Sequence, residues 1–310
     1  MSVLINQKNC ITSRKNLGIP DCIVEVGIPK GYIKVPVGWS IDLSSDTLDK
    51  DYVNSKVQTG EFIPVLGAVQ FTQNTPEATI EEAQGGVKAV VRNGLPEFVF
   101  KFWKGGWKFA NALYSYNSQQ AFDILLVFSN GAIAGATNGT DFTGFELGML
   151  NSGTYMFTDG SVNGSVSVTM QLINEAQYNS DVAILSPDVL DFKTLTDLNP
   201  ITDIVLTARA DASDNKVYFK AKFAMNTASN LGGIAIANLK SFVEGTADTI
   251  TALSLSYNST TEEWSYTPTA TLGAGDEVVV QLYDSVNTVA CAKIGNKYYK
   301  GTSNTAVTVA

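Results

Sequence analysis

The chain has 310 residues, room for two domains of ordinary size, and it combines 45% hydrophobic with only 16% charged residues, well under the quarter usual in soluble proteins. Its 21 basic and 30 acidic residues give a net charge of −9, opposite to the basic footprint of a nucleic-acid binder, so transient, non-specific passage of DNA is the most that this balance allows. Histidine is absent, which rules out Ser-His-Asp and Cys-His catalysis and removes the commonest catalytic metal ligand.

Most of the acidic excess is N-terminal: residues 201–310 hold 8 basic and 10 acidic residues, against 13 and 20 in the first 200. A channel wall that repels DNA has this balance, and so does any soluble acidic surface. A surface rich in Gly, Asn, Ser and Thr but poor in charge suits faces covered by copies of the same chain. Cys10, Cys22 and Cys291 are odd in number and form no C-x-x-C, so buried or reduced thiols are expected. The N-terminal MSVLINQKNCITSRKN lacks the basic start and apolar run of an export signal, and no apolar stretch approaches membrane-spanning length; neither export nor a membrane partner is expected. Asn138, Asn163 and Asn258 head glycosylation sequons that an Asn/Thr-rich chain generates by chance.

Short runs of β-branched and aromatic residues with period-two alternation, punctuated by Gly, Asn and Asp, predict an all-β fold of the sandwich or barrel kind. Strands are expected at residues 22–26, 32–37 and 62–71. In FVFKFW (residues 98–103) three phenylalanines share one face and predict a core strand, with Gly105-Gly106 as a hairpin turn. Phe109, Ala112, Leu113 and Tyr116 then stand at helical spacing and predict one short amphipathic helix, ended by the Asn, Ser and Gln residues at 117–120. FDILLVF (122–128) is a buried strand, Asn130-Gly131 a hairpin turn and 132–136 its return strand; further strands are expected at 153–158 and 165–173.

Residues 179–200, NSDVAILSPDVLDFKTLTDLNP, read as a linker or extended arm, with a domain boundary near Asp197. Beyond it, strands are expected at 203–210, 216–224, 249–257, 264–270, 277–283 and 290–294, with turns at Asn258-Ser-Thr-Thr and Gly273-Ala-Gly-Asp. About seven strands in this length match the rhythm of an immunoglobulin-like sandwich. The expected organisation is a β domain over residues 1–197 and an immunoglobulin-like domain over 198–310.

No catalytic, cofactor-binding or metal-binding residue is assigned, no cofactor is expected, and the chain reads as non-enzymatic. Phosphate-cradling GxxxxGK[ST] and GxGxxG loops are missing, and Gly85-Gly86 and Gly94 read as turn glycines. The adjacent carboxylates Glu81-Glu82, Glu262-Glu263 and Asp276-Glu277 point to opposite faces if they lie on strands, so they read as solvated surface rather than an acid–base pair. Asp211, Asp214 and Asn215 are oxygen ligands in one loop but lack the spacing and glycine of an EF-hand. Trp103, Trp107, Phe109, Tyr114 and Tyr116 stack a sugar or base on one reading and build the strand-to-helix core on the favoured one. Lys101, Lys104 and Lys108 around them form the one basic patch and suit an acidic neighbouring subunit.

Taken in order, IPVLGAVQFTQNTPEATIEEAQGG, ALYSYNSQQ, FDILLVFSNGAIAGA, GFELGMLNSGTYMF and SVSVTMQLIN give residues 62–178 a pattern that resembles the tail tube proteins of tailed phages. The resemblance implies a β-sandwich or small barrel flanked by one helix, and copies joined into stacked, hexameric rings within a virion assembled in the host cytoplasm. Other virion proteins would then be partners, and there would be no catalytic site. It places the stacking loop at residues 29–60, an arm onto a neighbour at residues 1–20, and an added immunoglobulin-like domain at 198–310. The long irregular N-terminal portion departs from the family and leaves room for a head-to-tail ring or baseplate protein. Two further readings stay open: an icosahedral coat or capsid-decorating protein of two eight-stranded halves, and a carbohydrate-binding adhesin using Trp264.

Overall fold

The computed structural model describes residues 5–6, 26–82, 86–117, 122–161, 163–248, 250, 254–301 and 306–310. The chain is mostly β and divides into two compact units, the first running to Leu198 apart from the short stretch Val57–Gly60, which groups with Asn199–Ala310 in the second. Cys10, Cys22 and most of the strand expected at 22–26 lie outside the described residues.

The first part of the chain contains β1 (Ile5–Asn6), β2 (Pro29–Pro36), β3 (Ser40–Asp42), α1 (Lys50–Thr59), β4 (Ile63–Leu66), β5 (Gln70–Gln73), β6 (Thr79–Glu82) and β7 (Lys88–Arg92). It continues through β8 (Glu97–Phe102), α2 (Gly106–Tyr114), β9 (Phe122–Phe128), β10 (Ile133–Thr137), β11 (Asp141–Thr143) and β12 (Leu147–Ser152). It closes with β13 (Val166–Leu172), α3 (Glu175–Asn179), β14 (Val182–Leu185) and α4 (Thr194–Asp197). One curled sheet has eight strands in the order β1-β14-β10-β9-β2-β4, with β11 joining β10 to β3; the other has four, β12-β13-β8-β5.

The core between these sheets follows from the side-chain pattern. On β8, Phe98, Phe100 and Phe102 all point inward and are fully buried, while Glu97, Val99 and Lys101 take the other face. β13 pairs with it in the register Val168↔Phe100 and Met170↔Phe98, so Val166, Val168, Met170 and Leu172 fall on the same buried face. Across from them β9 is buried along its whole length, flanked by β10 and β2, which explains its apolar run, interrupted only by Asp123. The Asn130-Gly131 turn joins β9 to β10 as expected, with Gly131 N–H donating to the Phe128 carbonyl at 3.0 Å.

Several expectations are corrected. Residues 29–60 are not an irregular loop: β2 runs inside the eight-stranded sheet with Tyr32, Ile33, Lys34 and Val35 all buried, so covering of both faces erases the alternation that marks a strand. In the same stretch Asp49 caps α1, its Oδ1 accepting the Tyr52 N–H at 2.7 Å. The single strand expected at 62–71 is two, broken at Gly67, whose φ of 88° turns the chain from one sheet to the other. The strand expected at 153–158 falls instead at β12, and Met156 keeps only an isolated bridge to Ser165. The supposed linker at 179–200 contains β14, four buried residues held between β1 and β10; so short a strand, flanked by Ser, Asp and Pro, carries no readable period. Four helices, rather than one, are present among the described residues.

The second unit is a β-sandwich. It contains β15 (Thr202–Asp211), β16 (Lys216–Phe223), β17 (Asn226–Asn230), β18 (Leu239–Val243), β19 (Thr246–Asp248) and β20 (Ser256–Asn258), with a 3-10 turn at Ile236–Asn238. Then come β21 (Glu263–Tyr266), β22 (Glu277–Leu282), β23 (Ala292–Ile294), β24 (Lys297–Gly301) and β25 (Ala306–Thr308). Seven strands form one sheet, β20-β21-β16-β15-β24-β23 with β17 on β16, and four form the other, β19-β18-β22-β25. The strand count exceeds the expected seven because β17, β18, β19, β24 and β25 are short and polar-flanked. The parallel β15–β24 pair, Thr202↔Tyr299, is the one exception among otherwise antiparallel ladders of the described residues. Ile204, Leu206, Phe219, Tyr266, Val278 and Leu282 fill the space between the sheets. Cys291 is buried and free, and burial pushes its thiol up to about 11.

Candidate assembly surface

The aromatic cluster flagged after β8 is split by the fold. Gly105 sits in the left-handed region (φ 79°) at the start of α2 and turns the chain straight into a helix instead of a hairpin. β8 already has β13 and β5 on its two sides, so the chain leaving it has no vacant edge to pair with. The helix then buries Ala110 and Leu113, with Phe109 packed edge-on to Phe102 at 5.6 Å, rather than the stripe expected through Ala112, which is exposed. A Cβ on Gly105 would collide with Phe109, so Gly105→Ala is expected to cost about 2 kcal/mol of unfolding free energy in chemical denaturation.

That phase sends Trp107 outward. It is 62% exposed, Tyr114 64% and Trp103 50%, which corrects the expectation that these rings build the core. Phe109 and Tyr116 alone of the five pack against it. Trp107 meets Phe157, itself 68% exposed, edge-on at 5.3 Å, and Phe157 meets Tyr155 at 5.7 Å. Met156 beside them is 64% exposed. Large apolar side chains this exposed and in mutual contact are uncommon on a surface that stays wet. Lys104 and Lys108 flank Trp107; burial lowers the Lys104 pKa. Tyr155, Met156 and Phe157 lie in the stretch expected as a strand at 153–158; the structure gives that stretch only the Met156 bridge, and the apolar triplet just before Asp159-Gly160 is the signal that marks it as loop-borne.

A second exposed feature is the β6–β7 ribbon, which pairs with no other strand among the described residues. Ile80, Val87 and Val90 are 57%, 67% and 58% exposed, and Glu82 meets Lys88 at 3.7 Å. Gly94 lies at its base, where a side chain would collide with the Pro76 carbonyl; this close approach, not a phosphate loop, is what the glycine serves.

No family model matches the chain, and no curated protein matches it.

The remaining candidates are engaged locally. Glu262 pairs with Lys222 at 3.1 Å and Glu263 with Arg209 at 3.0 Å, so the adjacent carboxylates diverge. Asp276 accepts the Gly273 N–H at 2.7 Å, closing the predicted turn. Asp211 accepts from Ser213, Asp214 from the Tyr218 hydroxyl, and Asn215 from the Leu272 N–H at 2.8 Å, so these three oxygens do not converge. Among the described residues no group of three His, Cys, Asp or Glu is placed to hold a metal ion. Trp264 is half-buried against the second core, donates Nε1 to the Leu231 carbonyl at 3.3 Å and lies 4.9 Å from Tyr257. A concavity of about 880 Å³ beside α4 has its acids engaged: Asp197 accepts from the Lys50 ammonium at 3.3 Å, and Asp191 from the Lys50 N–H at 2.8 Å.

Proposed function

We propose that this chain is a non-enzymatic building block that associates with copies of itself into rings, most specifically as a tail-tube-type protein of a phage virion. The β6–β7 ribbon carries this reading. A two-stranded ribbon is marginal in water by itself and needs a third strand or a packed face, and this one exposes an apolar residue on each strand. A neighbouring copy supplies that cover at no cost in sequence, and repeated heterologous contact of this kind closes into a ring or continues as a tube. The exposed Trp107–Phe157 pair supports the same reading, since aromatic anchors rimmed by charge are what association surfaces concentrate. The low charge content and the resemblance of residues 62–178 to tail tube proteins agree with it. Other virion proteins would cap the assembly, and DNA would pass without being held.

Excising the ribbon tests the reading. Joining Pro76 to Gly94 through a short Gly-Asn link leaves both sheets of the first unit intact, because no strand of either pairs with the ribbon. Sedimentation velocity of the full-length protein should show large species, and the excised variant should sediment as a folded single chain. Large species that survive excision would remove the ribbon from the contact.

A further inference from the structure

The first unit contains an apolar cavity of about 360 Å³ between its two sheets, separate from the exposed aromatic pair. One wall is a continuous run of rings: Phe71 lies 5.8 Å from Phe98, Phe98 5.4 Å from Tyr178, and Tyr178 6.2 Å from Phe145. The eight-stranded sheet contributes Leu126, Phe128 and Ala134. Among the described residues no charged side chain lines the space. Its polar lining among the described residues is Tyr178 and Gln73: the Tyr178 hydroxyl donates to Gln73 Oε1 at 3.1 Å, while Gln73 Nε2 donates to Thr75 at 3.2 Å. Having given its proton to Gln73, the Tyr178 oxygen keeps lone pairs that accept one further hydrogen bond.

We propose that this cavity binds a small, neutral, planar aromatic molecule carrying one hydrogen-bond donor, of the indole or phenol class. The volume is at the lower end of ligand pockets, and smaller apolar cavities already take benzene. Rings on one wall offer edge and face contacts to a flat guest. The missing charges exclude an ionic ligand, which would enter without a counter-charge. With Gln73 Oε1 already accepting, the Tyr178 oxygen is left as an acceptor that favours a donor-bearing guest over a bare hydrocarbon.

The test is ligand-observed fluorine NMR on the full chain, with 5-fluoroindole as donor-bearing probe and fluorobenzene as bare control. Both should bind, 5-fluoroindole the tighter, with unlabelled indole displacing it. Ala134→Leu, which places extra methyls in the cavity, should weaken both at least tenfold while leaving the melting temperature unchanged or higher. Ala134→Val is the milder substitute if the leucine variant does not fold. Tyr178→Phe should weaken 5-fluoroindole about tenfold and leave fluorobenzene unaffected. Absence of binding by the folded wild-type chain overturns the proposal, as does binding indifferent to the Ala134 variants. An equal loss of both probes in Tyr178→Phe overturns the role of the hydroxyl.

Discussion

Replacing Lys34 by methionine is expected to stabilise the first unit by about 3 kcal/mol at neutral pH, an unusual sign for a substitution in a core. Lys34 lies on β2, 2% exposed, and its ammonium nitrogen has no hydrogen-bond partner. It stands over the face of the Tyr116 ring and 5.0 Å from the centroid of Phe122. Burial lowers its pKa from 10.5 to about 7. Each pKa unit is worth about 1.4 kcal/mol, so this drop costs the native state up to about 5 kcal/mol, of which cation–π attraction returns about 2.

The sign of the pH dependence follows from the lowered value. Between pH 7 and 10.5 the unfolded chain holds a proton on this amine that the folded chain has released, so folding gains stability as pH rises. Below pH 7 both states are protonated and the penalty is complete. Unfolding free energies of wild type and Lys34→Met from denaturant titrations between pH 6 and 10 should therefore differ most at pH 6 and converge toward pH 10. Parallel curves, or a less stable variant, would show that the amine is satisfied in solution.

The second large effect belongs to the exposed aromatic pair. Trp107→Ala together with Phe157→Ala should raise the concentration needed for self-association by at least about a hundredfold, since two central aromatic anchors each contribute about 2 kcal/mol or more to an interface. The same change should move the stability of the single chain by only about 0.5 kcal/mol, because both rings are mainly solvent-facing. That contrast separates an interface role from a folding role. Light scattering across a dilution series gives the first quantity and a denaturant titration the second. Unchanged association with the double variant would place the contact elsewhere on the chain.

Legibility in the sequence tracked how a strand is covered. β8, β13, β15 and β22 each have one face on a core and one on the other side, and their alternation predicted them closely. β9 is readable for the opposite reason, as a nearly continuous apolar run bounded by Asn-Gly. In β2 the pattern is legible only from Tyr32 onward and its surroundings look like a loop, because a lysine in a strand buried on both sides mimics a solvent-facing position. β14 was hidden by its length.

The surface was harder. Composition placed Trp107 near the core, but the helix phase set by Gly105 decides which side of α2 faces inward, and a left-handed glycine before a helix is not distinguishable by sequence from one in a hairpin. Phe157 falls in the strand expected at 153–158, and the sequence does not reveal its exposure, because exposure of a loop aromatic depends on what packs around it. The acidic pairs on Glu262 and Glu263, by contrast, behave as expected for surface carboxylates, each with its own cation.

Electron micrographs of the purified full-length chain distinguish a ring-forming protein from a solitary one. Self-association through the ribbon and the aromatic pair predicts closed rings, stacking into tubes as concentration rises. A uniform population of single 33.2 kDa chains at every concentration would contradict it.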